Sequence, residues 1–391
     1  LDSAILMNPR VWEASGHVGS FSDPLVDCKK CRERFRGDKL IEDAGGDPVG
    51  KTLAEISAMM QSLRIKCPSC GASDFTEARA FNLMFRTFQG VVEESSTAIY
   101  LRPETAQGIF TNFKNVVNSL HPKMPFGIAQ IGKAFRNEIT PRNFIFRSRE
   151  FEQMEMEFFC HEGESQKWYE HWIAERFDWF RSVGIRDKRL RLREHEKSEL
   201  AHYAKGCTDV EYEMPFGWSE MEGIANRGNY DLTQHMNVSG KDFTYFDDAR
   251  KEKYVPYVVE TSVGVDRTAL AVLADAYREE EVKGEVRVVM GFAPAIAPVQ
   301  VGVLPLSAKL REPAKKIEEE LRRRFVSEYD DAGSIGKRYR RHDEIGTPFC
   351  VTYDFDSEND HAVTVRDRDT MQQERIAVDK VVEYLQEKFA R

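Results

Sequence analysis

The sequence predicts an α+β domain with an antiparallel sheet over residues 1–290, a small cysteine-bounded insert at 28–70 within it, and a C-terminal α/β domain over 291–391. Three observations predict this arrangement. Short apolar runs rich in Phe and Ile, separated by Pro and Gly, cover residues 81–159 and are typical of antiparallel strands. Two C-x-x-C pairs bound residues 28–70. After residue 298 the pattern alternates between strand and helix, which is typical of a separate α/β domain.

Composition excludes several classes of protein. The 391 residues include 41% hydrophobic side chains and carry a net charge of −9, so a disordered or collagen-like chain is excluded. The stretch 288–308 has no formal charge, but three prolines interrupt it and no membrane helix is expected. No basic and then apolar leader opens the chain, so we expect a cytoplasmic protein. Because the chain starts at Leu1 and soon enters a loop, an N-terminal segment is expected to be absent.

Four of the seven cysteines form a candidate metal site. Cys28 and Cys31 make one C-x-x-C pair, and Cys67 and Cys70 make the other. Four thiolates suit tetrahedral zinc, and a predicted helix at 52–65 in the 35-residue spacer allows the two pairs to meet. Two unrelated pairs or disulfides are the alternatives, and disulfides are disfavoured in a reducing cytosol. The remaining cysteines stand alone and are interpreted as buried thiols.

A hairpin at 135–157 carries the first set of polar residues. Alternate side chains of a strand share one face, so Phe151, Gln153, Glu155 and Glu157 are expected to point the same way. Three polar groups on one strand face are costly in a core. Arginines flank the hairpin, and guanidinium groups bind phosphate oxygens in pairs, so they can hold both ends of a triphosphate.

A second set of polar residues lies at 260–267, before an apolar helix predicted at 268–277. Gly264 relieves crowding beside a ligand, and Arg267 is expected at the helix start. The helix dipole disfavours an arginine there unless an anion lies nearby, so a phosphate partner is indicated.

Both sets resemble sequence motifs of the class II aminoacyl-tRNA synthetases, and in particular of the homodimeric glycyl type. The hairpin 135–157 resembles motif 2, and 264–267 with its helix resembles motif 3. Longer stretches also match the glycyl type: Y-L-R-P-E-T-A-Q-G-I-F at 100–110, E-M-E-G-I-A-N-R at 220–227 and S-I-G-K-R-Y-R-R-H-D-E-I-G-T-P-F at 334–349. Motif 1, which builds the dimer interface in this class, is expected to belong to the absent N-terminal segment. A homodimer therefore follows by analogy alone.

The resemblance implies that glycine and ATP condense to glycyl-adenylate and pyrophosphate, and that the glycyl group passes to the terminal ribose of tRNA(Gly). Arg136 would hold the α-phosphate and the glycine carboxylate, while Arg147 and Arg267 would grip the distal phosphates. Glu220 would lie near Mg2+, and Glu138 would contact the adenine edge with Phe151 stacked on the ring. The implied catalytic residues are Arg136, Arg267 and Glu220. The implied ATP site comprises Arg136, Asn137, Glu138, Phe146, Arg147, Phe151, Glu220, Met221, Gly264 and Arg267. The implied glycine site comprises Glu104, Phe151, Gln153, Glu155, Glu260, Ser262, Gly264 and Arg36.

The C-terminal domain is implied to bind the anticodon. Residues 309–343 contain 11 basic and 8 acidic side chains, and the basic cluster Lys337, Arg338, Arg340 and Arg341 is the candidate tRNA contact. A solvated surface is the alternative for this cluster.

Two other functions remain open on the residues alone. A non-catalytic, synthetase-like accessory subunit that binds nucleic acid should have lost its phosphate arginines, but Arg136, Arg147 and Arg267 are present. A class II synthetase for threonine, serine or proline would share the phosphate arginines. Aminoacylation with each amino acid in turn distinguishes these possibilities.

Overall fold

The computed structural model describes residues 1–94, 97–196, 200 and 204–390. The chain forms two compact units. The first comprises Leu1–Arg176, Arg191–Tyr212 and Trp218–Leu270, and the second comprises Phe177–Leu190, Glu213–Gly217 and Ala271–Arg391. No helix in the described ranges is long and apolar enough to span a lipid bilayer.

The helices are α1 Pro9–Ala14, α2 His17–Ser20, α3 Gly37–Asp43, α4 Leu53–Ser62, α5 Ala106–Leu120, α6 Ser165–Ser182, α7 Tyr230–Ser239, α8 Val265–Ala276, α9 Arg311–Leu321, α10 Ile335–Ile345, α11 Ser357–Asp360 and α12 Val381–Phe389. The strands are β1 Leu6–Met7, β2 Ser22–Asp27, β3 Arg34–Arg36, β4 Arg79–Asn82, β5 Arg86–Phe88, β6 Ala98–Leu101, β7 Phe126–Phe135, β8 Glu150–Cys160, β9 Leu190–Glu194, β10 Gly206–Met214, β11 Gly217–Gly228, β12 Tyr245–Asp247, β13 Glu252–Tyr254, β14 Tyr257–Gly264, β15 Tyr277–Val282, β16 Glu285–Met290, β17 Val301–Pro305, β18 Ser327–Tyr329, β19 Phe349–Tyr353, β20 Ala362–Asp367 and β21 Gln373–Ala377.

A six-stranded sheet with the order β7-β8-β14-β11-β10-β9 forms the centre of the first unit. Strand β8 pairs antiparallel with β7, as the motif 2 hairpin predicts, and its other edge pairs antiparallel with β14. Helix α5 packs on β7 and β8 through a core that includes Phe110, Phe113 and Phe159. The β8 residues at 153, 155 and 157 point to the same side as Phe159 because strand side chains alternate. Polar groups of β8 therefore lie beside the start of α5.

The cysteine-bounded insert forms its own small sheet, β3-β2-β4, with α3 and α4. Its core contains Val26, Ile41, Ile56 and Met60. The helix predicted at 52–65 is observed at Leu53–Ser62. Thr52 caps its start, because the Thr52 hydroxyl accepts from the Glu55 N–H while the Glu55 carboxylate accepts from the Thr52 N–H.

We expect Thr52→Ala to destabilise α4 by about 1 kcal/mol, because the first turn loses its cap. Hydrogen exchange of the α4 amides measures this effect, and faster exchange should be confined to the insert. Thr52→Ser keeps the hydroxyl acceptor and should exchange like the unmodified protein. Equal protection of α4 in the alanine variant would contradict the role of the cap.

The second unit contains a five-stranded sheet with the order β18-β17-β19-β20-β21. Strand β17 is parallel to both neighbours, and the remaining pairs are antiparallel. Helices α9 and α12 contribute Ile317, Leu321 and Leu385 to its core. The predicted alternation of strand and helix is therefore observed: a mixed α/β unit follows the antiparallel α+β unit.

The hairpin β15–β16 belongs to the second unit, so this unit begins earlier than the boundary predicted after residue 290. Arg287 of β16 is fully buried. Its Nε donates to Asp343 of α10 at 2.8 Å, and Asp343 also accepts from Arg366 at 2.8 Å. A buried carboxylate shared by two guanidinium groups fixes the hairpin to the sheet.

Candidate active site

A cavity of about 300 Å³ opens in the first unit beside β8, β14 and the start of α8. Most of the residues that the sequence assigned to ATP line it: Arg136, Glu138, Phe146, Arg147, Phe151, Glu220, Met221, Gly264 and Arg267. From the predicted glycine set, Arg36, Gln153 and Ser262 also line it. Asn137 does not, and its backbone N–H bonds to the carbonyl of Leu83 at 2.8 Å. Several chain segments far apart in sequence thus build one cavity.

Arg136 is held in place before any ligand binds. Its guanidinium carbon lies 5.4 Å from the ring centres of both Phe21 and Phe151. Its Nε donates to the carbonyl of Pro103 at 3.0 Å. Cation–π contacts and one hydrogen bond leave the remaining N–H groups available to an anion in the cavity.

A second cationic group lies at another part of the cavity wall. Arg147 Nη1 is 3.4 Å from Glu138 Oε2, and Glu138 is 9% exposed. Burial lowers the pKa of Arg147, and Glu138 opposes that shift. Arg36, predicted beside glycine, pairs with Asp23 at 2.7 Å and Asp38 at 2.5 Å. The Arg36 guanidinium is therefore already neutralised by two carboxylates.

Arg267 lies in the first turn of α8, as predicted. Its Nε donates to the Phe146 carbonyl at 3.2 Å, and its Nη1 donates to the Glu220 carbonyl at 3.0 Å. The Phe146 ring is 4.4 Å from the guanidinium carbon. The Glu220 side chain is 54% exposed and 3.6 Å from Arg267 Nη1, so its carboxylate remains accessible to a cation in the cavity.

A buried set of carboxylates lies where β8, β14 and α5 meet. Glu155 Oε2 accepts from the Thr105 N–H at 2.7 Å and from the Thr105 hydroxyl, while Oε1 accepts from Ser262 at 2.6 Å and Gln153 at 3.1 Å. Burial and then neighbouring Glu104 raise the pKa of Glu155. Four hydrogen bonds fix the Glu155 carboxylate at this depth.

The other two predicted carboxylates have basic side chains as partners. Glu260 accepts from Arg227 Nη1 at 2.7 Å. Glu104 is 3.5 Å from His17 and accepts from Gln107 at 3.0 Å. Burial alone would raise the pKa of Glu104, but His17 and Arg227 hold that pKa below its usual range. Burial raises the pKa of Glu260 to about 7, against the opposing effect of Arg227.

Sequence reasoning missed three groups in this pocket. Thr105 lies within the matched stretch 100–110, and Arg227 is the last residue of the matched stretch 220–227. Neither residue belongs to a pattern that predicts a binding role. Arg227 is 7% exposed and lies at a register irregularity of β11, so a strict two-residue period could not place it. Glu157 was expected on the correct face of β8 but was given no role. It is fully buried opposite Glu260 in β14.

The four cysteines of the insert come together as predicted. Cys28 Sγ and Cys70 Sγ are 3.6 Å apart, as are Cys31 Sγ and Cys67 Sγ, and all four sulfurs lie within 4.8 Å of one another. Tetrahedral zinc with Zn–S bonds of about 2.3 Å separates its sulfurs by about 3.8 Å. Backbone N–H groups of Cys31 and Lys30 lower the pKa of the Cys28 thiol to about 7, which favours a thiolate. The donor set is compatible with a structural zinc ion.

We expect one zinc ion per chain in purified protein, measured by elemental analysis. Four thiolates leave no open coordination position for water, so the zinc ion would be structural and not catalytic. Removing it with a chelator should therefore unfold the insert. Cys70→Ser should lose the metal, whereas Cys350→Ser, a buried lone thiol of the second unit, should keep it. A metal-free insert with normal stability would refute the zinc centre.

The basic cluster on α10 differs from the sequence prediction at one residue. Arg338 is 3% exposed, and its Nη1 donates to the carbonyls of Pro305 at 2.7 Å and Asp330 at 3.2 Å. Its placement in a tRNA-binding surface is therefore wrong, because the helix turns that side chain into the fold. Lys337, Arg340 and Arg341 line an open groove at the start of α10.

Two family models match the chain. The tRNA synthetase class II core domain (G, H, P, S and T) matches residues 55–276, and the anticodon binding domain matches residues 300–388. The first match contains the predicted motif 2 and motif 3. The second contains the five-stranded sheet of the second unit.

Full-length matches to curated relatives agree with these models. A glycine–tRNA ligase of Caldanaerobacter subterraneus subsp. tengcongensis is 60% identical over 395 residues, which covers 100% of this chain and 86% of the relative. Glycine–tRNA ligases of Lachnospira eligens and Geobacillus kaustophilus are 58% and 57% identical, each over 100% of this chain and 86% of the relative. The chain belongs to the glycine–tRNA ligase family of class II aminoacyl-tRNA synthetases.

Proposed function

We propose that this protein activates glycine with ATP and transfers the glycyl group to tRNA(Gly). The observation that carries the proposal is the adjacency of two sites. A cavity lined by Arg136, Arg147 and Arg267 adjoins, through Ser262 and Gln153, the buried carboxylate of Glu155. The first site suits a polyphosphate, and the second suits a small ammonium group.

The chemistry requires positioning rather than an enzyme nucleophile. An oxygen of the glycine carboxylate attacks the α-phosphorus of ATP, a P–O bond forms, and the bond to pyrophosphate breaks. The terminal ribose hydroxyl of the tRNA then attacks the carbonyl carbon, and AMP leaves. Arg136 stabilises the charge on the α-phosphate in the first step, because its guanidinium is already oriented by Phe21 and Phe151.

ATP lies along the cavity in this proposal. Arg147 and Arg267 bind the distal phosphates, and Glu138 accepts from the adenine edge while Phe151 supports the ring. Phe146, Met221 and Gly264 complete the site, and Asn137 holds Leu83 in the cavity wall through its backbone N–H. ATP enters synthetases of this class with Mg2+, and the exposed carboxylate of Glu220 in the cavity lining is our candidate to bind it.

Glycine binds at the deep end. Glu104, Glu155 and Glu260 attract its ammonium group, with Ser262 beside them. Glycine has no side chain for a site to contact. The site must therefore leave no space beside the α-carbon, so that the methyl group of alanine does not fit. Such steric exclusion can exceed the ~1–3 kcal/mol available from methylene contacts, and no editing domain is then required.

The second unit reads the tRNA in this proposal. Lys337, Arg340 and Arg341 provide charge for the RNA backbone, and unstacked anticodon bases are bound by edge contacts and stacking. Removing residues from 295 onward should therefore impair tRNA charging more than adenylate formation. Equal loss of both activities would assign the second unit to folding alone.

We further propose a homodimer that works in the cytoplasm, where tRNA charging supports translation. Strand β7 forms one edge of the six-stranded sheet and exposes Ile131 to 67%. An apolar edge of this kind is compatible with a subunit interface. Light scattering should give twice the chain mass.

The decisive experiment measures ATP–pyrophosphate exchange with each amino acid separately, followed by tRNA charging. Exchange should require glycine and remain far lower with alanine or serine. A protein that binds RNA but exchanges with no amino acid would instead support the non-catalytic accessory subunit. Exchange with threonine, serine or proline would support a different substrate.

A further inference from the structure

Glu157 is a buried carboxyl group without a described partner. It lies in the middle of β8 and is 0% exposed. Within the described residues, no hydrogen-bond donor reaches either of its side-chain oxygens. Buried polar groups are nearly always satisfied, and an unpaired buried carboxylate is especially costly. This group therefore requires either a proton or a cation.

Acidic groups surround Glu157 on several elements. Glu260 of β14 is its cross-strand partner, and Glu155 lies two residues away on the same face of β8. Asp231 of α7 also raises its pKa, whereas Arg227 of β11 lowers it. The further polar and titratable groups of this region are Glu104 and Gln107 at the start of α5, His235 on α7 and His17 on α2, linked by short contacts.

Arg227 cannot neutralise all of these carboxylates. Its Nε and Nη2 donate to Asp231 at 2.8 and 2.9 Å, and its Nη1 donates to Glu260 at 2.7 Å. Burial and then Glu260 raise the pKa of Glu157 well above its usual value. Like charges on adjacent strands cannot all ionise in a buried site.

We propose that Glu157 holds a proton while the pocket contains no ammonium group, and that binding of the glycine ammonium releases this proton to solvent. The proposal rests on the proposed function. In the free pocket, protonated Glu157 is neutral, so Glu260 has no second negative charge opposite it on β8. When glycine binds, one positive charge enters and one proton leaves, so the charge of the pocket is conserved. Glu157 is thus a positioning residue that acts through Glu260.

The coupling fixes how glycine affinity depends on pH. The pKa of Glu157 is higher in the free pocket than in the pocket that holds an ammonium group. Glycine affinity should therefore rise with pH between these two pKa values, by up to about tenfold per pH unit, and level off above the higher one. Below the lower pKa, Glu157 stays protonated in both states and the dependence disappears.

Calorimetry with two ligands tests the proposal. One ligand is the sulfamoyl analogue of glycyl-adenylate, and the other is the same molecule with a hydroxyl group in place of the amino group. Each is titrated at several pH values up to neutrality in buffers of different ionisation enthalpy, which counts released protons. Between the two pKa values of Glu157, the unmodified protein should release up to one more proton per chain with the amino ligand than with the hydroxyl ligand.

Two variants provide the matched comparison. Glu157→Gln should bind the amino ligand without this extra proton, and its glycine KM should lose its pH dependence. Glu150→Gln, an exposed residue of the same strand, should release the proton like the unmodified protein. If both ligands release equal numbers of protons from the unmodified protein, the proposal is overturned even if Glu157→Gln fails to fold. Failure of both ligands to bind would instead overturn the proposed function.

Discussion

Arg136→Ala should reduce glycine-dependent ATP–pyrophosphate exchange by at least about a hundredfold in kcat/KM. Arg136 enters the cavity from the end of β7, and its orientation is set by Phe21, Phe151 and the Pro103 carbonyl. A preorganised cation at a developing phosphorane charge contributes about 3 kcal/mol or more to the transition state. Alanine removes both the charge and its orientation. Arg136→Lys should recover little, because an ammonium group cannot bind two oxygens in the same plane.

The matched control for this substitution is Arg86→Ala. Arg86 lies on β5, outside the cavity, and its guanidinium contacts the Phe88 ring at 5.1 Å. It removes the same side chain from the same unit and should leave exchange near normal. Circular dichroism should show both variants folded. Near-normal exchange by folded Arg136→Ala would refute its place at the α-phosphate.

The sequence allowed the hairpin and the four cysteines to be predicted because their signals are local or paired. Alternation along β8 placed Gln153 and Glu155 on one face, and the structure has them there. The two C-x-x-C pairs are far apart in sequence, and a helix between them allows them to come together. Helix α4 is that helix. These features depend on side-chain period and spacing, which a single sequence contains.

Other features depend on tertiary contacts that spacing does not encode. Lys337, Arg338 and Arg340 lie within four residues of one another, yet α10 points Arg338 inward toward two carbonyl groups. Arg227 acquires its role only where β11 becomes irregular and α7 brings Asp231 beside it. The charge state of a buried carboxylate likewise depends on neighbours from several elements. No count of local charges predicts such groups.

Glu155→Gln should raise the KM for glycine and reduce kcat/KM for glycine by about a hundredfold, while the KM for ATP changes little. Glu155 accepts from the Thr105 N–H and hydroxyl through one oxygen and from Ser262 and Gln153 through the other. Glutamine replaces one of these oxygens with an NH2 group, which faces donors instead of accepting from them. The pocket also loses a negative charge that attracts the ammonium group. Loss of a charge-assisted contact together with unpaired donors costs about 3 kcal/mol.

Glu155→Asp tests the position of the carboxylate separately from its charge. It keeps both acceptor oxygens but withdraws them by one methylene, so the glycine KM should rise less than in Glu155→Gln. The space left at the α-carbon should admit alanine, which the unmodified protein should exclude. Exchange assays with glycine and alanine on both variants measure these differences. Unchanged glycine kinetics in Glu155→Gln, or an equal rise in the KM values for glycine and ATP, would mean that Glu155 supports the fold and does not bind the amino acid. A selective loss for glycine requires the ammonium group to depend on this carboxylate, since Arg136, Arg147 and Arg267 remain in place for ATP.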